Sequence, residues 1–303
     1  MPLIDANGIK LAYDIQGPAQ GEPILLIAGL GLQLISWPDA FCKGLVDQGF
    51  RVIRFDNRDS GLSSKMEHFG KPNLQTAFFK SLFHMPIFSG YTLYDMAKDG
   101  ICLLDALGIE KAHVVGASMG GMIAQIMAAR YPDRVLTLTS IMSTTGRPGL
   151  PGPTMAANHA LFSRPENPRD VHSVIDHFVR MFRVIGSPAY PTPEAELRRR
   201  VTESVRRNVC PSGTARQMMA VASSGDRVAL LRTIKLPTLV IHGTEDPLVP
   251  VACGRDTANL VRGAILHEIE GMGHDFPPAL DALLAELIGM HCKGSLQPEA
   301  RRA

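Results

Sequence analysis

Three short stretches of this 303-residue chain hold side chains suited to nucleophilic and acid–base chemistry. The first is Val114-Val115-Gly116-Ala117-Ser118-Met119-Gly120-Gly121, a Gly-x-Ser-x-Gly run that follows a buried-strand pattern and opens a helical one. A strand–turn–helix junction of this kind makes a tight turn that lifts the serine hydroxyl clear of the backbone, and the flanking glycines leave it room. The start of the helix leaves N–H groups free beside that hydroxyl, so the Met119 amide is expected to stabilise an oxyanion. Without its context the run would mean little, since a Gly-rich helix start capped by serine reads the same way.

A neutral serine needs a base. Of the ten histidines, His274 fits best, because it lies in the loop Gly271-Met-Gly-His-Asp-Phe-Pro277 between the last strand and the last helix. His113 and His267 fall within strands, and His172 and His177 on a helical stretch. The base in turn needs an orienting carboxylate. Asp246, in His242-Gly-Thr-Glu-Asp-Pro-Leu-Val-Pro250, stands at the carboxyl end of a strand and is biased toward an extended backbone by Pro247. Glu245 is its competitor, and an Asp-Pro pair by itself signals only a turn.

The elements around these loops alternate. Leu3, Ile9, Leu11 and Tyr13 flank the turn Asn7-Gly8 and predict a hairpin. Pro23–Ala28 reads as a buried strand, and Ser36 as the N-cap of a helix carrying Phe41, Leu45 and Val46. Further strands are predicted at 51–55, 112–116, 135–142, 237–243 and 264–269, with helices at 92–107, 119–130, 251–262 and from Leu280. Residues 62–90 fit no regular element, yet Phe78, Phe79, Leu82, Phe83, Met85, Ile87 and Phe88 suggest a cover over a pocket mouth. From Ser143 the strand rhythm stops, and amphipathic helices run through Val171–Ile185, Leu197–Val209 and Thr214–Ser223. The expected fold is therefore α/β: a mostly parallel central sheet with helices on both faces and a helical cap inserted after strand six. The expected divisions are 1–142 and 228–303 for the core and 143–227 for the cap. Phe178, Met181, Phe182, Met218 and Met219 on the cap helices are candidates for lining a substrate cavity.

The chain resembles the α/β-hydrolase superfamily over nearly its whole length, and most closely its capped serine esterases similar to aclacinomycin methylesterase. The matching stretches include Leu-Leu-Ile-Ala-Gly-Leu-Gly31, Trp37-Pro38-Asp39, Phe55-Asp-Asn-Arg-Asp-Ser-Gly61, Gly116-Ala-Ser-Met-Gly120, Glu245-Asp-Pro and Gly271-Met-Gly-His274. The resemblance implies an α/β-hydrolase fold, a Ser118–His274–Asp246 triad and a second oxyanion-hole N–H from Leu30. It departs at two points. Ala28 stands where many relatives have the His of His-Gly, removing a side chain that supports the oxyanion loop. Asp59 stands where many have Gly, in a turn taken as structural.

Composition narrows the partners. A net charge of +2 with mixed signs gives no footprint for nucleic acid or a charged membrane surface. The cluster Arg198–Arg200 with Arg206 and Arg207 reads as a solvated helix face. Five cysteines without a C-x-x-C pair imply neither a disulfide framework nor a metal site, and no signal peptide or membrane-length apolar run is evident. A cytoplasmic protein is expected, free of cofactor and metal, acting through an acyl-enzyme on small to medium, mostly apolar esters, with a homo-oligomer possible. On the same triad a lactonase, thioesterase, carbon–carbon hydrolase, perhydrolase or non-catalytic ligand receptor is the alternative. Ser118→Ala is expected to lower ester turnover on the order of 10³-fold or more in a folded protein. Most of the activity surviving in that folded variant would contradict the nucleophile assignment.

Overall fold

The computed structural model describes residues 1–73, 85 and 87–296. Strands β1 (Leu3–Ala6) and β2 (Ile9–Gln16) pair as a hairpin across Asn7 and Gly8. Their φ values of 51° and 75° are the two consecutive left-handed positions that a two-residue turn requires. The remaining strands are β3 (Pro23–Ile27), β4 (Arg51–Phe55), β5 (Ala112–Ala117), β6 (Val135–Ile141), β7 (Thr238–Gly243) and β8 (Ile265–Ile269). They form one sheet in the order β1-β2-β4-β3-β5-β6-β7-β8, antiparallel at β1–β2 and β2–β4 and parallel elsewhere.

The core helices are α1 (Asp39–Asp47), α2 (Leu93–Ala106) and α3 (Met119–Arg130). Between β6 and β7 come α4 (Met155–Phe162), α5 (Val171–Ile185), α6 (Glu194–Arg207), α7 (Pro211–Ser223) and the short α8 (Val228–Leu231). The chain then adds α9 (Val251–Leu260) and α10 (Asp281–Cys292). Every residue of β5 and β7 is buried, because helices cover both sides of the sheet. Phe41 and Leu45 of α1 meet Leu284 and Ile288 of α10 on one face, while Met96, Ile101, Ile123 and Met127 of α2 and α3 fill the other. This is the parallel α/β sheet with a helical cap after β6 that the alternating pattern predicts. The cap has its own small core, with Ile175 and Val179 of α5 against Val201 of α6.

Several elements differ from the sequence reading. Ser36 ends a 3₁₀ turn (Leu34–Ser36), and α1 starts after Pro38, whose fixed φ and missing N–H suit a helix start. Helix α4 was not expected, since its exposed Met155 and Phe162 carry no amphipathic stripe. Proline at the first position lets α7 begin at Pro211. The Arg-rich cluster is only partly a solvated face. Arg198 and Arg199 are exposed, but Arg200 donates to the Phe276 carbonyl and Arg207 pairs with the buried Asp56 at 2.8 Å. Of the apolar residues in 62–90, Phe78, Phe79, Leu82 and Phe83 lie outside the described residues, whereas Met85 and Phe88 are exposed.

Buried polar contacts dock the cap on the core. Asp59, in left-handed backbone (φ 68°), accepts from Arg216 of α7 at 2.6 and 2.8 Å, from the Tyr91 hydroxyl at 2.7 Å and from the Met66 N–H at 2.8 Å. Burial alone would raise its pKa, but these donors more than offset that and hold the carboxyl below its ordinary range. The pair's contribution is thus complete at neutral pH and is lost as the pH falls below the unfolded carboxyl's value of about 3.9. The turn taken as structural is therefore also a fastening point for the cap. Asp59→Gly, although it relieves the left-handed backbone, is expected to destabilise the protein by about 3 kcal/mol, because it strands a buried guanidinium. Adding Arg216→Met should recover most of that loss in denaturant titrations at pH 7, and a fully stable single variant would contradict the account.

Candidate active site

Ser118 sits between the last residue of β5 and the first of α3 with φ 55° and ψ −120°, a region unfavourable for a side-chain-bearing residue. The turn is held on all sides. The Ser118 N–H donates to Ile141 O at 2.9 Å, and its own carbonyl accepts from Gly121 N, Met122 N and the Ser143 hydroxyl. The glycines are obligatory: a Cβ at Gly116 would lie 2.1 Å from the Gly120 carbonyl oxygen, and one at Gly120 would lie 2.0 Å from that of Ile27.

His274 lies on the loop after β8. Its Nε2 is 3.0 Å from Ser118 Oγ, and its Nδ1 is 2.7 Å from Asp246 Oδ2. A carboxylate can only accept, so Nδ1 carries the proton and Nε2 is left to accept from the serine hydroxyl. Asp246 is buried after β7, and its Oδ1 accepts from the N–H groups of Leu248 and Val249 at 2.9 and 2.8 Å. Burial pushes its pKa up, yet the facing His274, the nearby His242 and the Val249 N–H outweigh burial and leave the carboxyl well below its ordinary range. Glu245, the neighbouring candidate, is exposed, and the contact made by its backbone N–H is with Met272 O.

Three further residues, not singled out in the sequence, surround this line of groups. His242, fully buried in β7, donates from Nε2 to Val249 O at 2.7 Å and lies 3.6 Å from Asp246 Oδ2. Its strand position, with a side chain turned toward the following loop, was the one available signal. Ser187, just past α5, accepts from Gly273 N at 2.8 Å and donates to Asp275, while His274 N–H donates to Ile185 O at 2.7 Å. Gln217 of α7 accepts from Gly31 N at 2.7 Å. Nothing local in sequence marks Ser187 or Gln217, because both act across more than 80 residues.

Ser118 and His274 open on a cavity of about 2360 Å³ beneath the cap. Leu30 lines it on the core side, and Phe178, Met181, Phe182 and Met218 line it on the cap side. The Met119 N–H is the first of α3, where helix geometry provides no internal acceptor. Met219, half-buried on α7, is not in the lining, since one residue along a helix turns the side chain by about 100° from Met218. Among the described residues, no group of three or more His, Cys, Asp or Glu side chains is placed to hold a metal ion, and no helix is long and apolar enough to cross a membrane.

Comparison with known proteins agrees with this architecture. The chain is 29% identical to rhodomycin D methylesterase of Streptomyces peucetius over 310 residues, covering 97% of this chain and 98% of that protein. It is 30% identical to 2-hydroxymuconate semialdehyde hydrolase of Pseudomonas sp. (strain CF600), covering 94% and 91%. Among solved structures, the enol-lactonase of Burkholderia xenovorans LB400 superposes with a TM-score of 0.74 at 24% identity, over 96% of this chain and 100% of that one. The model of the family described as alpha/beta hydrolase fold matches residues 22–277, and the chain belongs to that family.

Proposed function

We propose that this chain is a serine hydrolase that cleaves carboxylic esters through an acyl-enzyme on Ser118. The observation that carries the reading is the hydrogen-bonded line from Ser118 Oγ through His274 to Asp246, opening on a cavity beneath the cap. In the first half-reaction His274 Nε2 takes the hydroxyl proton as Ser118 Oγ bonds to the ester carbonyl carbon. The carbonyl oxygen becomes an oxyanion received by the Leu30 and Met119 N–H groups, and Asp246 stabilises the imidazolium. Collapse breaks the bond to the alcohol oxygen, which leaves with the proton from His274. A water molecule, deprotonated by the same nitrogen, then attacks the acyl carbon; the bond to Ser118 Oγ breaks, Oγ recovers the proton from His274, and the carboxylic acid leaves.

The cap side of the cavity supplies Phe178, Phe182 and flexible Met181 and Met218, surfaces suited to a mostly apolar ester. The name methylesterase, carried by a relative over almost the full length, favours a small alcohol group on the ester. All five cysteines are free thiols, which suits a reducing compartment, and we place the reaction in the cytoplasm.

The acid is assigned to Asp246 because, among the described residues, it alone accepts from the imidazole from a buried position. Asp246→Asn should reduce kcat on the order of 10⁴-fold, as removal of the charge behind a triad histidine does elsewhere, while Glu245→Gln should change it less than about tenfold. Reversed losses would show that the acid is misassigned. On p-nitrophenyl esters, kcat/KM is expected to rise over short acyl chains by about 0.8 kcal/mol per buried CH₂ and then to fall for long lipids. Activity that keeps rising to long-chain triglycerides, with activation at an oil–water interface, would contradict a site covered by the cap.

A further inference from the structure

We propose that Gln217, on cap helix α7, is a positioning residue for the oxyanion loop, taking over the support that the histidine of a His-Gly loop would give and that Ala28 lacks. The inference rests on the serine-hydrolase reading above. Residues 29–32 form a tight turn closed by Leu32 N–H to Gly29 O at 3.2 Å, and the turn passes beside the serine, since a Cβ at Gly29 would lie 3.3 Å from Ser118 Cβ. The ends of the turn are fastened by the 57–60 segment, since Asn57 donates to Ala28 O at 3.0 Å and the Ser60 hydroxyl to Leu32 O at 2.6 Å. Its middle is held from the other side. The Gly31 N–H, adjacent to the proposed donor, gives its hydrogen bond to Gln217 Oε1 at 2.7 Å.

Gln217 is completely buried, and both ends of its amide are used, with Nε2 donating to Arg58 O at 2.7 Å. One partner is a backbone donor and the other a backbone acceptor, so the amide can adopt only one orientation. The helix beneath it has little freedom to shift. Neighbouring Arg216 is paired with Asp59, and Thr214 lies close enough to Gly31 that a Cβ there would sit 2.8 Å from its hydroxyl oxygen. Consecutive residues of one cap helix therefore hold Asp59 and the turn that follows Ala28. Asp59 anchors the helix through Arg216, and the helix in turn holds the oxyanion loop through Gln217.

An oxyanion donor contributes only when it is fixed where charge develops, and misplacement costs rate in the transition state rather than affinity in the ground state. Gln217→Met removes both hydrogen bonds at nearly constant volume. In a folded protein it should lower kcat by roughly tenfold to a hundredfold, somewhat less than outright loss of a donor, with KM within about twofold. Affinity for a trifluoromethyl ketone, whose hemiketal oxygen occupies the oxyanion position, should fall by the same factor as kcat. Gln217→Glu provides a second reading if the first variant does not fold. A neutral carboxylic acid reproduces both hydrogen bonds, whereas the carboxylate cannot donate to Arg58 O. The activity of this variant relative to the parent should then decline as the pH rises. Wild-type kcat and ketone affinity in folded Gln217→Met, or a pH-independent activity ratio for Gln217→Glu, would overturn the proposal. Failure of the underlying reading is separately visible, because Ser118→Ala would then retain turnover, which no result at Gln217 can mimic.

Discussion

A serine side chain has to stand at the end of a fully buried parallel strand on left-handed backbone, and most of this structure answers to that requirement. At φ 55° the Ser118 turn is held by its surroundings, not by its own preference. The β5–α3 junction can be that tight only with hydrogen at Gly116 and Gly120, where backbone oxygens stand within about 2 Å of any added Cβ. The parallel sheet supplies the rest: β6 fixes Ser118 through Ile141 O, and β7 and β8 end beside it, so that the loops carrying Asp246 and His274 emerge at the same edge.

The cap completes the site from the opposite side. The end of α5 receives the His274 loop through Ile185 O and Ser187, and α7 grips the 29–32 turn through Gln217. A cap that merely covered a cavity would need apolar contacts only. This one exchanges buried hydrogen bonds with both the 29–32 turn and the His274 loop, and buried polar contacts define one arrangement more sharply than apolar packing does. On the proposed mechanism, cap geometry and catalytic geometry are thereby one problem.

Features set by local chemistry were legible in the chain. Asn7-Gly8 marked its turn, the continuous apolar runs marked β3, β5 and β7, and the strand–turn–helix context singled out Ser118. The glycine-flanked loop after the last strand brought His274, and the strand end before Pro247 brought Asp246, into consideration before any distance was known. What stayed hidden depends on distant partners or on one turn of a helix. Asp59 reads as a turn residue until Arg216 is found opposite it, 157 positions away. Gln217 and Ser187 carry ordinary polar side chains whose meaning lies in the backbone groups they meet. Ser36 and Pro38 are both acceptable helix starts, and burial of Leu34 in a 3₁₀ turn decides between them. Met218 and Met219 are alike in composition and differ only in the direction each projects from α7.

The central claim is that turnover passes through a covalent acyl group on Ser118. It is tested most directly by quenching the enzyme in acid during steady-state hydrolysis of a p-nitrophenyl ester and mapping the tryptic peptides by mass. Trypsin releases Ala112–Arg130 intact, and this peptide contains a single serine. The account predicts that this peptide gains the mass of the acyl group, with the modification on Ser118 and a matching burst of p-nitrophenol. A burst with the acyl group on another peptide, or on no peptide at all, would contradict it.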